Sequence, residues 1–239
     1  MVELSVIVPA FNEEKEIHAS LSAIEQALKG LGLSYEIIAV DDGSRDGTLA
    51  ELRAAASGTV KIFSYLPNRG KGFAVRHGML NSHGRYRLFM DVDLSTSLDA
   101  IAEFLQIMRA GNYDVLIAER KSRAQQQKIP QPWLRRFLGN GFIKLSSVCV
   151  GRDFKDFTCG FKMFNQKAVE ALFPRQRVFD WSFDTELLAI ALAQNLRVGE
   201  VAVDWSHHQE STVQPAKAIF TSLAGLTKIR WNMCRGLYR

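Results

Sequence analysis

The sequence predicts an α/β protein in which a mainly parallel sheet is flanked by helices. Short β-branched runs alternate with segments whose apolar residues recur at helical spacing, and polar, glycine-containing loops follow several of the runs. Strands that alternate with helices are joined by right-handed crossovers, which produce a parallel sheet covered by helices. We therefore expect the polar loops at one edge of the sheet, where open α/β sheets bind ligands.

The first half of the chain supplies most of these elements. A strand over 4–9 precedes a helix that Asn12 is predicted to cap, with Glu13, Glu14 and Glu16 in its first turn. The other predicted strands are 35–40, 60–66, 86–90 and 113–118, and the helices are 46–56, a segment after the basic loop 68–72, and 98–110.

The character of the sequence changes after Glu119. The stretch 119–132 is polar, basic and proline-punctuated, and its length is typical of a functional loop or a boundary. A helix over 133–150, a strand over 158–164, a helix over 184–195 and a strand over 197–205 follow. We predict one domain over residues 1–210 and a basic amphipathic tail over residues 211–239.

Composition restricts the class of protein. The chain has 239 residues, 47% of them apolar, which is enough for one large or two small globular domains. A formal charge of +5 favours anionic partners. Three cysteines without CxxC or CxxH spacing indicate neither a disulfide framework nor a zinc site. We expect no signal peptide, because the N-terminus becomes polar and acidic after a few apolar residues. We expect no membrane span, since no apolar run approaches about 18 residues.

An apolar strand ends in two aspartates that are separated by one residue. The stretch 87–97 reads RLFMDVDLSTS, and if the strand continues through Val92, Asp91 and Asp93 point to the same side. Two carboxylates at the carboxyl edge of a parallel sheet suit Mg²⁺ or Mn²⁺. The alternative is that these aspartates only end the strand and cap the next helix.

The first two strands offer groups that suit a nucleoside. Neither a GxGxxG fingerprint nor a GK[ST] P-loop is present, which argues against NAD, FAD and P-loop nucleotides. Phe11 supplies a flat ring for stacking on a base, and Asp41 with Asp42 can accept hydrogen bonds from a base or a ribose. Alternatively, Phe11 packs in the core and the aspartates belong to a turn and a helix cap.

Several motifs in this order resemble a known family. PAFNEE, VDDGSRDGT, NRGKG and MDVD, followed by TCGFKMF, WSFDTELL and VGEVAVDW, resemble the inverting family 2 glycosyltransferases of the GT-A (Rossmann-like) fold. Within that family they are similar to the dolichyl-phosphate β-glucosyltransferases and, more distantly, to the polyprenyl-phosphate mannose synthases. The resemblance covers the chain from Ser5 to about Trp205.

The resemblance implies roles for individual residues. The implied donor-binding residues are Pro9, Phe11, Glu13, Asp41, Asp42, Lys71 and Asp91. Asp91 would contact the ribose or the metal, and Asp93 would ligate the Mg²⁺ or Mn²⁺ that bridges the diphosphate. Two positions depart from the family pattern: Ser95 stands where the mannose synthases carry Gln, and Thr212 stands where relatives carry a Lys that reaches the donor phosphates. His207, His208 or Lys217 would have to replace that basic contact.

The expected acceptor is a polyprenyl monophosphate, whose second pKa of about 6 leaves its attacking oxygen largely anionic. The candidates for binding this phosphate are Arg120, Arg123, Arg135 and Arg136. If the acceptor were a sugar hydroxyl, Asp184 or Glu186 would be the candidate base; the alternative for Asp184 is that it only caps its helix.

The tail has an amphipathic pattern and no acidic residue after Glu210. Its predicted apolar face consists of Ile219, Leu223, Leu226, Ile229, Met233 and Leu237, and its basic face of Lys217, Lys228, Arg235 and Arg239. Such a helix suits the interface of an anionic bilayer, and docking on the core or on a partner subunit is the alternative.

We therefore expect an enzyme that transfers a hexose from a nucleotide sugar to a polyprenyl (dolichyl or undecaprenyl) phosphate at the cytoplasmic membrane surface. Glucose from UDP-glucose is the first choice, and mannose from GDP-mannose is the alternative. The third hypothesis is an inactive module that binds a nucleotide sugar and a membrane. Nucleic-acid binding is not expected, because the basic residues do not alternate with aromatic residues as a stacking groove requires.

Overall fold

The computed structural model describes residues 2–121, 133–206 and 215–239, with side chains described for 2–120, 141–206 and 221–239. The strands are β1 (Leu4–Ala10), β2 (Tyr35–Asp41), β3 (Val60–Ser64), β4 (Tyr86–Met90), β5 (Val115–Lys121), β6 (Phe161–Asn165) and β7 (Val198–Asp204). The helices are α1 (Ile17–Gly30), α2 (Thr48–Ala55), α3 (Lys71–Leu80), α4 (Ala100–Arg109), α5 (Trp133–Val150), α6 (Gln166–Leu172), α7 (Phe183–Ala193) and α8 (Pro215–Cys234).

The described strands form one sheet in the order β3-β2-β1-β4-β6-β5-β7. All neighbouring pairs are parallel except those of β6, which runs antiparallel to both β4 and β5. The prediction of a mainly parallel, helix-flanked α/β fold is confirmed. In the register, Met90 at the end of β4 lies beside Phe161 at the start of β6. The chain thus re-enters the sheet at the edge where β4 ends.

Two apolar cores lie on opposite faces of the sheet, because side chains alternate along each strand. On β1, Ile7 packs with α3, α6, α7 and α8, whereas Val6 and Val8 pack with α1 and α4. Residues of β2 divide in the same way between the two cores. Burial on both faces accounts for the near-continuous apolar runs from which these strands were predicted.

Asn12 does not cap the first helix, which begins at Ile17 rather than directly after Asn12. Its backbone has a φ of 57°, and its Oδ1 accepts a hydrogen bond from the Arg45 N–H at 2.9 Å. The Asn12 N–H donates to Ser44 Oγ at 2.9 Å. The amide therefore joins the loops after β1 and β2, a long-range role that local cap patterns do not indicate.

No helix was predicted at the position of α6, which has seven residues. Asn165 is its N-cap, and its Oδ1 accepts from the Ala168 N–H at 2.8 Å. An Asn before an apolar-periodic segment was the available signal.

The C-terminal helix packs its apolar face against the core. Leu226 and Ile229 are buried, and Met233 and Leu237 pack against the same core, whereas Leu223 is 42% exposed. Most of the face that the sequence assigned to lipid is therefore occupied by α5 and α7. The division of the chain at 210/211 falls outside the described residues and stays a prediction. No helix in the described ranges has the length and apolar character needed to cross a membrane.

Tyr238 fixes the C-terminal segment to α7 through a buried carboxylate. The Tyr238 hydroxyl donates to Glu186 Oε1 at 2.5 Å, and Gln194 Nε2 donates to the Tyr238 carbonyl at 2.6 Å. Glu186 Oε2 accepts from the N–H groups of Arg177 and Val178. Burial raises the pKa of Glu186, and these hydrogen bonds oppose that rise. Glu186 thus has a structural role in this position, and its role as a candidate base stays a prediction.

We expect Tyr238→Phe to lower the free energy of unfolding by about 1.5–3 kcal/mol, because a hydrogen bond to a buried charged group is lost. Chemical denaturation monitored by circular dichroism measures this change. Tyr113→Phe is the matched control, since Tyr113 is 36% exposed, and its stability should change by no more than about 0.5 kcal/mol. Equal stability of Tyr238→Phe and the wild type would contradict a structural role for the C-terminal segment.

Candidate active site

The two aspartates after β4 lie in a turn and not on a continued strand. β4 ends at Met90, and Leu94 has a left-handed φ of 48°. The strand does not continue through Val92, so the expectation that strand alternation aligns Asp91 and Asp93 was wrong. Both side chains nevertheless line one cavity at the carboxyl edge of the sheet. The cavity lining consists of Met90, Asp91, Asp93, Leu94, Ser95, Thr96, Arg120, Thr158, Cys159, Gly160, Phe161 and Trp205.

Asp91 is held between a lysine and a glycine. Lys71 is the first residue of α3, and its Nζ lies 2.5 Å from Asp91 Oδ1. The Asp91 N–H donates to the Gly160 carbonyl at 3.1 Å. A Cβ at position 160 would lie within 2.0 Å of Asp91 Oδ2, so a side chain there would displace the carboxylate. Glycine at the entry of β6 is thus a condition for the observed position of Asp91.

A second ion pair, between Lys162 and Asp184, is almost completely buried. Lys162 Nζ donates to Asp184 Oδ1 at 2.6 Å and to the Cys159 carbonyl at 2.6 Å, and the Lys162 side chain has no exposed surface. Burial alone would lower the pKa of Lys71, but Asp91 and Asp184 outweigh it and raise that pKa. Asp91, Lys71, Asp184 and Lys162 therefore form a row of alternating charges, which we call the charge row.

Asp184 does not cap its helix, because the N-cap position of α7 is Ser182. Burial raises the pKa of Asp184, and the ammonium groups of Lys162 and Lys71 oppose this rise. The carboxylate is only 4% exposed, and its Oδ1 is engaged by Lys162. In this position Asp184 balances the charges of Lys162 and Lys71. Its role as a catalytic base stays a prediction.

The Asp41/Asp42 pair organises the loops around the site. Asp42 Oδ2 accepts from Asn68 Nδ2 and the Gly70 N–H, each at 2.9 Å, and Asp42 Oδ1 accepts from the Arg69 N–H at 2.8 Å. Asp41 accepts from the Ser44 N–H and the Ser64 hydroxyl. Burial raises the pKa of Asp42, against the effect of these bonds. Both residues are at most 3% exposed, so contact with a nucleoside stays a prediction for them.

The remaining predicted donor residues differ in exposure. Phe11 is 42% exposed, so the alternative that its ring packs in the core is wrong. Pro9 is buried within β1 beside Val40, and its side chain faces no solvent. Glu13 is partly buried, and its N–H donates to Thr48 Oγ1 at 2.7 Å.

The electrostatics of the site fit a cation. Burial, together with Glu16, Asp93, Asp46 and Asp91, raises the pKa of Glu13 to about 7. Within the described ranges no group of three or more His, Cys, Asp or Glu side chains could hold a metal ion. Two carboxylates are nevertheless what Mg²⁺ or Mn²⁺ takes when substrate phosphates and water complete its shell. The residues present therefore fit a divalent ion that binds together with a phosphorylated ligand.

Arg120 lines the cavity, but its guanidinium is engaged by Asp156. Arg120 Nε and Nη2 donate to the two Asp156 oxygens at 2.5 and 2.9 Å, and Nη2 also donates to Thr158 Oγ1. Burial would lower the pKa of Arg120, and Asp156 outweighs it and raises that pKa. The acceptor-phosphate role of Arg120 stays a prediction. Arg123 and the side chains of Arg135 and Arg136 lie outside the described residues, as do His207, His208, Thr212 and the Lys217 side chain.

Two important residues, Gly160 and Lys162, were not singled out from the sequence. Both belong to the TCGFKMF motif, which was used only as a mark of resemblance. A lysine inside an otherwise apolar strand was the available signal, because a buried ammonium requires a carboxylate partner.

The sequence matches one family profile and several named proteins. The sequence profile of Glycosyl transferase family 2 matches residues 5–173. The chain is 31% identical to the dolichyl-phosphate beta-glucosyltransferase of Dictyostelium discoideum, over 100% of this chain and 77% of that protein. It is 35% identical to the Drosophila melanogaster protein of the same name, over 90% of this chain and 70% of that protein.

Solved structures with low sequence identity to this chain share its fold. One is glucosyl-3-phosphoglycerate synthase from Mycobacterium tuberculosis in complex with Mn²⁺, UDP and glucosyl-3-phosphoglycerate, with a TM-score of 0.69 and 18% identity. The match covers 96% of this chain and 80% of that chain. Another structure of that synthase contains Mg²⁺ and UDP. The GT-A fold expected from the sequence is confirmed.

We expect Asp42→Asn to loosen the loop 68–70, because the new amide nitrogen must face at least one of the three N–H donors. An unsatisfied buried donor costs about 1–3 kcal/mol, which chemical denaturation measures. Hydrogen exchange should show lost protection at the Arg69 and Gly70 amides. Asp99→Asn, at an exposed position, is the control. Unchanged protection at both amides would contradict this role of Asp42.

Proposed function

This chain belongs to glycosyl transferase family 2, and we propose that it transfers glucose from UDP-glucose, with inversion, to a polyprenyl phosphate at a membrane surface. The supporting observation is that relatives 31% and 35% identical over at least 90% of this chain are named dolichyl-phosphate beta-glucosyltransferases. Those names favour glucose over the alternative of mannose from GDP-mannose.

The donor is proposed to bind along the carboxyl edge of β1, β2 and β4. The exposed ring of Phe11 offers a stacking surface for the base, and Lys71 offers a cation for the diphosphate. Asp91 and Asp93 would hold Mg²⁺ or Mn²⁺. When bound, this metal stabilises the negative charge that develops on the leaving nucleoside diphosphate. Asp41 and Asp42 support the donor by fixing the loops that surround it.

The acceptor needs little help from a general base. A phosphate monoester has a second pKa of about 6, so its attacking oxygen is already anionic at neutral pH. This chemistry agrees with the engagement of Asp184 by Lys162 and of Glu186 by Tyr238. We assign binding of the acceptor phosphate to Arg123, Arg135 and Arg136, together with Arg120, which lines the cavity. Asp184 then acts as a positioning residue through the charge row.

The membrane surface is proposed to be the outer side of α5 and α8. The two helices pack together, with the Cys149 thiol 3.4 Å from the Leu226 carbonyl. Val148 on α5 is 73% exposed and Trp231 on α8 is 64% exposed. Neither α5 nor the chain after 210 contains an acidic residue, so this side is basic. An anionic bilayer complements that charge, whereas a second copy of the chain would oppose it.

We expect the purified protein to transfer labelled glucose from UDP-glucose to a polyprenyl phosphate with Mn²⁺ or Mg²⁺, and Asp93→Ala to lower the rate at least about 100-fold. Asp93 is exposed, so its removal leaves the core intact, which a thermal melt verifies. Glu103→Ala, an exposed acid on α4, should transfer normally. Transfer from GDP-mannose alone would refute the glucose assignment, and binding of UDP-glucose without transfer to any polyprenyl phosphate would favour the inactive module.

We expect Trp231→Ser to weaken co-sedimentation with anionic liposomes at least tenfold, since burial of a large apolar side chain contributes about 1.5–3 kcal/mol. Binding of the wild type should also fall as salt rises, because exposed charges are screened within about 8 Å at physiological ionic strength. Leu31→Ser, at an exposed apolar position at the end of α1, is the control. Equal sedimentation of all three proteins would place the membrane contact elsewhere.

A further inference from the structure

We propose that Lys71 is an internal counter-ion of Asp91 which the metal and the donor diphosphate must displace together. The two ligands then bind synergistically, and neither binds well alone. This inference rests on the proposed function, because it takes Asp91 as the place where a divalent cation and a nucleoside diphosphate meet.

The contact between Lys71 and Asp91 competes directly with a metal. Lys71 Nζ lies 2.5 Å from Asp91 Oδ1, and the two side chains are only 25% and 35% exposed. An ammonium group and a divalent cation repel each other at such distances, and partial enclosure weakens the screening by water. The contact uses Asp91 Oδ1, so a cation that binds either oxygen of Asp91 repels Lys71 and weakens this ion pair.

The surroundings give Lys71 little alternative compensation. Two further carboxylates act on Lys71, those of Asp184 and Asp93. Asp184 Oδ1 already accepts from Lys162 at 2.6 Å, and Asp93 is the other proposed metal ligand. Both ammonium groups lie near the Phe89 ring, whose centroid is 6.0 Å from Lys71 Nζ and 5.4 Å from Lys162 Nζ. If Lys71 moved toward Asp184, two ammonium groups would share one buried carboxylate. Such a state is unfavourable because a buried charge needs its own partner.

A donor diphosphate supplies the missing anion. Its phosphates can receive Lys71 while its oxygens complete the shell of a metal at Asp91 and Asp93. The coupling between the two ligands is reciprocal, so the factor by which the nucleotide tightens the metal equals the factor by which the metal tightens the nucleotide. In this arrangement Asp91 and Asp93 would hold the metal only together with a diphosphate, and Lys71 would move from Asp91 to that diphosphate.

Mn²⁺ binding, measured from the electron paramagnetic resonance signal of free Mn²⁺ with and without UDP, tests this proposal without an activity assay. In the wild type we expect UDP to tighten Mn²⁺ binding about tenfold or more. In Lys71→Met we expect Mn²⁺ alone to bind about tenfold more tightly than in the wild type, and UDP to add much less. Lys71→Arg keeps the charge and should resemble the wild type.

The control is Lys61→Met, which removes another ion-paired lysine, whose Nζ lies 2.8 Å from Glu36 Oε2. Glu36 lies near the start of β2, at the opposite end of the strand from Asp41, so Mn²⁺ binding should not change. Lys71→Gln serves as a second variant if thermal melts show that Lys71→Met is unfolded.

The direction of the change separates the possible outcomes. If Lys71 were only a donor contact, its removal would weaken UDP binding and leave the affinity for Mn²⁺ alone unchanged, which would overturn the proposal. A wild type that binds no Mn²⁺ even with UDP would instead refute the metal site of the proposed function. Tighter binding of Mn²⁺ alone to Lys71→Met supports the displacement of Lys71.

Discussion

The enclosed ion pair between Lys162 and Asp184 constrains much of the site around it. An ammonium group removed from water costs several kcal/mol unless a carboxylate and further acceptors surround it. This requirement joins β6, which carries Lys162, to the first turn of α7, which carries Asp184. Lys71 of α3 and Asp91 after β4 extend the same row of charges to the cavity. Four elements that are distant in sequence are thus held in one arrangement by charge balance.

The antiparallel strand β6 places residues of the second half of the chain beside the aspartates that follow β4. Asp91 and Asp93 follow β4, but the carbonyl that receives the Asp91 N–H belongs to Gly160, at the entry of β6. Arg120 at the end of β5 is oriented by Asp156, just before the same strand. Both halves of the chain therefore contribute residues to the cavity lining, and neither half contains all of them.

Local patterns predicted local features well. The strand 86–90 and the helix 133–150 have the predicted bounds, because apolar periodicity reports burial within one element. Features decided by distant contacts were not predictable in this way. Asn12 is of a residue type that caps helices but binds the loop after β2, and the hydrogen bonds by which Asp42 holds the loop 68–70 were not visible in the sequence. The apolar face of α8 was visible in the sequence, whereas the core that covers it was not.

The close approach of position 160 to Asp91 has an evolutionary consequence. Because a Cβ at 160 and the carboxylate of Asp91 require the same space, the two positions cannot vary independently. An alanine at 160 would displace the Asp91 carboxylate from its place beside Lys71, so selection on position 91 depends on the residue at 160.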